Sequence, residues 1–555
     1  LHFFFISDKI VPNRRKEKES AMRRFSSYGP VNDKIHYYVP RKELIEKGYT
    51  QFVGTNPSEG GHYFTVWAPR QTGKSWLMRE IFLKLKQETR FISLVINLEN
   101  YKYETDATQF MNKLAKKLGE ALGKPVPEIT SPEQFQEIFK KDTLEKPLIL
   151  ILDEFDALEE SIINALVSSF RSMYNIRQYE IEKAAEQKTY LLHSVALIGV
   201  RSVLGIENPK GSPFNVQRSL HVPNLTFEEV EEMFRWYEKE SGQSIEPAVI
   251  ERLFKETNGQ PGLNSWFGEL LTEGFDRYTN DLTKPITMNE FRRVYGAATY
   301  VLPNNNILNL ISKAKIEENK KLVLDMFQPG EKLEFKFDDK IMNGLYMNGL
   351  ADYEIDTEGK YYIKFACPFV QKRLFNYFSN EYFNYMGRLI DPFTDLDDMI
   401  TPTDLDILQL LKLYQLYLDK NKSWLFKNVP RRSDQRIIEA VFHFNFYSYF
   451  HEFLRGKNVN VIPEFPTGNG KIDILLHYGN NRYGIELKSF RDKPAHKIAL
   501  EKAAHYGKQL GLTEIYLVSF IETIDEETRG IFEKPFTEPV TGVTVKPFFI
   551  RTGLV

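Results

Sequence analysis

The chain of 555 residues has a single cysteine, Cys367. This excludes a disulfide framework and cysteine-built zinc sites, and makes a reducing compartment, the cytoplasm, the expected setting. The 10 histidines form no HExxH or comparable cluster. No apolar run approaches the roughly 18–20 residues that span a bilayer, so no membrane partner is expected. The opening Leu1-His2-Phe3-Phe4-Phe5-Ile6 is short and meets Asp8 before any Lys or Arg, a poor secretion signal. Charge of one sign is missing as well. With 73 Lys and Arg against 75 Asp and Glu the net charge is −2, so any nucleic-acid contact must come from a local patch. No methionine precedes Met22, and residues 1–35 are expected to be a tail, disordered or of upstream origin.

Hydrophobic residues make up 42% of the chain, enough for several cores at about 100–200 residues per domain. The most informative stretch is 63–80, YFTVWAPRQTGKSWLMRE. A β-prone run leads into Ala68, Pro69, Arg70, Gln71, Thr72, Gly73, Lys74 and Ser75, and a helical pattern follows from Trp76. Strand, loop and helix in that order make an anion cradle over Pro69 to Trp76, with backbone N–H groups from Arg70 onward. Lys74 supplies a point charge for the β- and γ-phosphates of ATP, and the Ser75 hydroxyl ligates Mg2+. Ala68 stands where the usual pattern has its first glycine.

A second signal is 147–158, PLILILDEFDAL. Its apolar run puts Asp153 and Glu154 at the carboxyl end of a buried strand, where ligands collect in α/β sheets. Asp153 would hold the Mg2+ through its water shell, and Glu154 would orient and deprotonate an attacking water. A further strand, 194–200, ends at Arg201 and Ser202, which either sense the γ-phosphate or simply turn the chain. Arg171 and Arg177 are candidate arginine fingers or a solvated helix face. Leu225-Thr226-Phe227-Glu228-Glu229 reads as a capping box that opens a helix.

Together the loop, the LILILDEFDAL strand, SPFNV at 212–216 and TNGQPGLNSWFGELL at 257–271 resemble AAA+-related ATPase modules of the origin-recognition and STAND type. The resemblance implies an ATPase core over 36–205 and a helical lid over 206–290. It also places Arg41, followed by Glu43 and Leu44, near the adenine, where a plain surface arginine is the alternative. The lid helix carries Asn264 and Trp266 where such modules often supply a phosphate-sensing arginine, which implies a slow switch. Helix, hairpin and helix over 291–380 resemble a winged helix. Lys340 is the lone cation of its would-be recognition helix, so a protein-contact role or plain packing is favoured over reading DNA. Residues 381–430 are expected to be a helical connector.

Residues 431–555 read as a separate α/β domain. A long helix over 434–455 carries Glu439, Asp473 opens a strand, and Glu486 and Lys488 alternate on the next, so both point to one face. Two carboxylates and a lysine at a hairpin form a hard-oxygen site for Mg2+ or Mn2+, with Lys488 placed to steer a water at a phosphodiester. The arrangement resembles the PD-(D/E)XK nuclease superfamily, with Ile472 in place of the usual proline. That resemblance makes Glu439 the helix-borne acid and Gln509 the polar residue of the following helix. The expected fold class is α/β multidomain: a P-loop NTPase parallel sheet with a helical lid, a winged-helix-like domain and a restriction-endonuclease-like domain. The whole is similar to bacterial and archaeal ATPase–nuclease fusions of mobile-element or defence biology. The expected function is an ATP-dependent switch coupled to a metal-dependent nuclease, with DNA the favoured partner and a homo-oligomer allowed. A regulatory scaffold with a silent nuclease-like domain is the alternative.

Overall fold

A computed structural model of the protein describes residues 22–29, 31–55, 61–199, 218–276, 278–327, 333–391, 394, 396, 399–434, 436–466 and 471–553. Residues 1–21, Arg201 and Ser202, the SPFNV stretch at 212–216 and residues 467–470 lie outside them. The chain divides into two compact units. The first is 1–306 with 337–351 and 366–368; the second is 307–336, 352–365 and 369–555. Among the described residues no helix is long and apolar enough to cross a membrane.

The first unit opens with α1 (Lys42–Val53), β1 (Tyr63–Trp67), α2 (Lys74–Leu85), β2 (Ile92–Asn97), α3 (Ala107–Leu122), β3 (Leu148–Asp153), α4 (Glu160–Tyr179), β4 (Leu192–Gly199) and β5 (Arg218–His221). The five strands form one sheet in the order β2-β3-β4-β1-β5, with every pair parallel. A parallel sheet is covered on both faces, which is why its central strands are continuous apolar runs. Along β3, Leu148, Leu150 and Leu152 enter one core with α3 and α4, while Ile149 and Ile151 enter the other with α1 and α2. Four helices follow: α5 (Phe227–Ser241), α6 (Pro247–Thr257), α7 (Pro261–Thr272) and α8 (Met288–Tyr300). The Thr226–Glu229 capping box opens α5 as its spacing predicts. This sheet with its helical lid is the P-loop NTPase fold.

The expected tail is folded from residue 22 on. Phe25 is buried among Tyr37, Phe234 and Tyr237, and the Arg24 N–H donates to the Ile35 carbonyl. A tail has no such apolar anchor; Phe25 supplies one.

Next in the chain are α9 (Asn305–Ala314), α10 (Glu317–Met326), α11 (Lys340–Asn348), β6 (Ala351–Ile355), β7 (Tyr361–Phe365) and α12 (Pro368–Phe383). Helix, hairpin and helix are present, yet α11 falls in the first unit and most of the hairpin and α12 in the second. Tyr346 of α11 packs its ring against Trp67 of β1, so the expected winged-helix module is not a body of its own.

The second unit continues with α13 (Ile407–Leu425) and α14 (Glu439–Phe453). The expected connector is core: Tyr414 of α13 is buried and donates its hydroxyl to Asn445 of α14 at 2.8 Å. The α14 sequence EAVFHFNFYSYFHEF is apolar all round, as a helix enclosed on every side must be. It begins five residues later than the expected 434, because residues 431–437 fold back on themselves. Arg431 bridges Ile437, and the Arg432 N–H donates to the Arg436 carbonyl. The chain then runs through β8 (Val459–Pro466), β9 (Lys471–Tyr478), β10 (Asn481–Ser489), α15 (Lys493–Gln509), β11 (Glu514–Ile521), α16 (Glu526–Phe532), β12 (Phe536–Thr537) and β13 (Thr544–Arg551). These strands form a mixed sheet in the order β12-β13-β11-β10-β9-β8. β8, β9 and β10 are antiparallel neighbours, and β10, β11 and β13 are parallel. α15 is the crossover that the β10–β11 parallel pair requires.

Candidate functional site

The phosphate loop leaves β1 at Ala68, which is fully buried, and enters α2 at Lys74. Gly73 takes a left-handed conformation (φ 87°), and a Cβ there would meet nothing within 4 Å. Open space therefore lies in front of the first turn of α2, where unpaired backbone N–H groups point. Thr72 braces the loop by donating its hydroxyl to the Pro69 carbonyl at 2.8 Å. The Lys74 ammonium donates to the carbonyls of Ala68 and Pro69, at 2.8 Å each. Burial pulls it down to about 8, against the attraction of Asp156, Glu154 and Asp153.

Those carboxylates stand at the end of β3. Burial raises Asp153, although the Glu154 N–H and the Ser75 hydroxyl both hydrogen-bond to it. Glu154 sits in the left-handed region (φ 55°), and burial, Asp153 and Asp156 raise it in turn. Asp156 escapes a sequence reading. It faces Lys74 from the turn after β3, in the space that Gly199 leaves: a Cβ on Gly199 would lie 2.5 Å from its Oδ1. The hydroxyl, carboxylates and ammonium around an open helix N-terminus fit the phosphates of a nucleotide and its Mg2+.

The lid reaches this loop through another residue that sequence reasoning misses. The Gln260 side-chain amide donates to the carbonyls of Arg70 (3.1 Å) and Gln71 (3.3 Å). The Gly262 N–H donates to Gln71 as well, and Gln71 is held at φ 58°. Asn264 is fully buried, bonding the Gln260 carbonyl and the Thr257 hydroxyl, so the lid position expected for an arginine is structural. Arg70 is exposed. Trp76 is buried, edge-on to Tyr38 and beneath Arg79. Arg41 is anchored on the lid entry through the carbonyls of Pro223 and Asn224. Arg177 is a correction to the solvated face: it is buried at 3% exposure and bonds the Tyr190 carbonyl.

A second charged cluster lies in the other unit. The β9–β10 ladder ends at Ile474 and Ile485. One step beyond, the strands part and the Asp473 carboxylate accepts the Leu487 N–H at 2.7 Å. Asp473 and Glu486 are each 2% exposed. Lys488 pairs with Glu486 at 2.8 Å and lies 3.8 Å from Asp473. Burial opposes its charge, but Glu486, Asp473 and Glu439 outweigh it and hold the ammonium above its ordinary value. Glu439, at the start of α14, accepts the Ser489 N–H at 2.8 Å.

Two further residues face this cluster without a sequence signal. His443, one turn along α14, is 1% exposed. Its ring nitrogens lie 3.9 Å from Glu439 and 3.9 Å from Asp473. Tyr506 of α15 is pushed up to about 12 by burial and by Glu486. Gln509, on the same helix, buries its Oε1 without a hydrogen-bond partner among the described residues. Asp473 Oδ1 and Glu439 Oε1 are likewise buried acceptors with no hydrogen-bond donor, the kind of oxygen a hard cation takes. Among the described residues, no group of three or more His, Cys, Asp or Glu side chains is arranged to hold a metal ion.

Residues 26–274 match the family model of an AAA-like domain. No curated protein matches the chain. Among solved structures, it is similar to a Walker-type ATPase of Pyrococcus abyssi, at 14% identity over 63% of this chain and 99% of that one, with a TM-score of 0.41. It is also similar to Cdc6p of Pyrobaculum aerophilum, at 16% identity over 64% and 97%, TM-score 0.34. A third is the RuvB branch migration motor of Thermotoga maritima, at 13% identity over 60% and 95%, TM-score 0.32. Global superposition is weak in all three, and the class rests instead on the sheet order, the phosphate loop and the family match. Together these give the first unit an AAA-like P-loop NTPase fold.

Proposed function

We propose that the protein is an ATP-binding switch whose C-terminal unit is a metal-dependent nuclease of PD-(D/E)XK type. In the first unit, Lys74 would leave its two carbonyls to bind the β- and γ-phosphates, while Ser75 and Asp153 would hold Mg2+. Glu154 takes the proton of the attacking water, and its raised affinity for protons suits a base. Gln260 ties the loop to the lid, so a loop that rearranges around phosphate moves the start of α7. The missing lid arginine supports slow hydrolysis and a switch rather than a motor.

In the second unit, Asp473 and Glu486 would hold Mg2+ or Mn2+, with Glu439 and Gln509 beside them. A bound ion would supply Lewis acidity to a phosphodiester. Lys488 would give up its Glu486 partner to orient the water, and the Leu487 N–H would hold the Asp473 carboxylate in place. The observation that carries this reading is the pair of buried carboxylate oxygens without hydrogen-bond donors, beside a lysine on the same sheet face. The silent-scaffold reading is favoured by one specific observation, the Lys488–Glu486 ion pair, which already occupies one of the two proposed metal-binding carboxylates.

Incubating the protein with labelled single- and double-stranded DNA and RNA, with Mg2+ or Mn2+ and with or without ATP, decides between them. The nuclease reading expects cleavage that Asp473→Ala abolishes. Intact substrate under every condition leaves the scaffold.

A further inference from the structure

Charge is nearly balanced over the whole chain, but not around one cavity of the second unit. This cavity, about 1000 Å³, is walled by the end of α13, the fold-back at 431–437 and the ends of β10 and β11. Lys422, Lys427, Arg431, Arg432, Arg436 and Arg491 line it, against Asp434, Glu439 and Glu522. Lys422 is buried and paired with Asp419; the other five cations against three carboxylates, in a chain of net charge −2, make the local basic patch that polyanion binding requires. The fold-back makes it. The Arg432–Arg436 backbone bond closes a turn from which the exposed Arg431, Arg432 and Arg436 fan out, with exposed Lys427 just ahead of it.

Four phenylalanines also line it, three of them buried. Phe426, Phe442, Phe490 and Phe520 face the same cavity. Phe442 and Phe520 stack at 4.8 Å with a 12° interplanar angle, and Phe490 is half-buried beside them. A duplex offers phosphates but hides its base faces, whereas a single strand offers both. An acidic peptide would use the cations and leave the half-buried Phe490 unused. Glu439 also lines the cavity and belongs to the carboxylate cluster through Ser489, so the cavity leads to that cluster.

We propose that this cavity is a binding groove for single-stranded nucleic acid. Lys427, Arg432 and Arg436 hold its phosphates, and Phe490 stacks on a base. The direction in which the groove feeds the strand rests on the nuclease reading; the binding itself does not.

The test is fluorescence anisotropy of the full chain carrying Asp473→Ala, in EDTA, with labelled oligothymidylate, oligouridylate, a duplex of equal length and a polyglutamate peptide. The groove predicts single strands bound at least about tenfold tighter than duplex, because stacking is lost in the duplex. The triple variant Lys427→Ala, Arg432→Ala, Arg436→Ala should flatten the plot of log affinity against log salt by a slope of about 2, three contacts at roughly 0.7 each. Phe490→Ala should weaken single-strand binding about tenfold while leaving that slope unchanged. Thermal melting checks that each variant is folded, and because the altered cations are exposed the triple variant should melt with the parent. Equal or tighter duplex binding, displacement by the peptide, no binding of any strand, or an unchanged salt slope in the triple variant overturns the proposal. Single-strand binding without cleavage by the unmutated chain leaves the groove standing and removes the nuclease. Cleavage indifferent to the triple variant does the reverse.

Discussion

Lys74 and Lys488 are both drawn into charged clusters, yet their ammonium groups are pushed in opposite directions. Lys74 is tied to two backbone carbonyls, with the carboxylates at one remove, and burial pulls it down to about 8. Lys488 touches Glu486 directly and has Asp473 and Glu439 behind it, so its charge is reinforced. Carbonyl dipoles are weak substitutes for an anion. The first cluster thus holds a lysine with no anion in direct contact, the second a lysine already paired with one.

Removing each lysine should break this symmetry. Lys488→Met leaves carboxylates buried without a counter-charge and should destabilise the second unit by about 3–5 kcal/mol in a urea melt. A cost under about 1 kcal/mol would mean the cluster is open to water. Lys74→Met gives up two carbonyl hydrogen bonds but no direct ion pair, and should cost about 1 kcal/mol of stability. It should nevertheless lower nucleotide affinity about 100-fold, or roughly 2.8 kcal/mol by calorimetry; unchanged affinity would remove the phosphate loop from the reading.

Acid should separate the units further. His193 of β4 is fully buried, hydrogen-bonds the Val53 carbonyl at 3.0 Å and is held by burial down to about 3. The unfolded chain takes up this proton near its ordinary 6.5 while the folded chain does not. The associated stability is therefore complete above that value and drains away as pH falls towards 3, by up to about 1.4 kcal/mol per pH unit. His193→Gln should flatten that part of the stability–pH curve, and an unchanged slope would count against a buried neutral imidazole. The smallest effect is expected at the lid. Gln260→Ala loses both amide hydrogen bonds to the phosphate loop and should cost about 1 kcal/mol, read as a several-fold loss of nucleotide affinity with little change in melting.

The phosphate loop and the β3 motif were legible because their chemistry is contiguous in the chain, with every participant beside its own strand or helix. Participants whose place depends on a residue far off in the chain were not, Asp156 among them although it lies inside the same motif. Asp156 becomes part of the site only because Gly199 leaves room for it, and Gln260 only because α7 starts against the loop. His443 was hidden by its setting, since a helix with aromatic residues on every face gives a polar residue no distinguishing periodicity. β5, Arg-Ser-Leu-His, lacks both alternation and an apolar run, and it is an edge strand whose identity comes from pairing with β1. Arg177 looked like surface because arginine usually is; here the Tyr190 carbonyl gives it a buried partner. The fold-back at 431–437 overrode a helical pattern that its residues could otherwise have continued. The same turn places the arginines around the cavity.

The order in which the two clusters can assemble follows from how β9 and β10 are joined. The Asp473–Leu487 hydrogen bond closes a loop of 14 residues, whereas Tyr63 of β1 must find Leu192 across 129. Short loops close early and at small entropic cost. The carboxylate hairpin can therefore form as soon as its own residues leave the ribosome, although it is encoded last. The phosphate loop, encoded first, has to wait for β4 before its sheet exists.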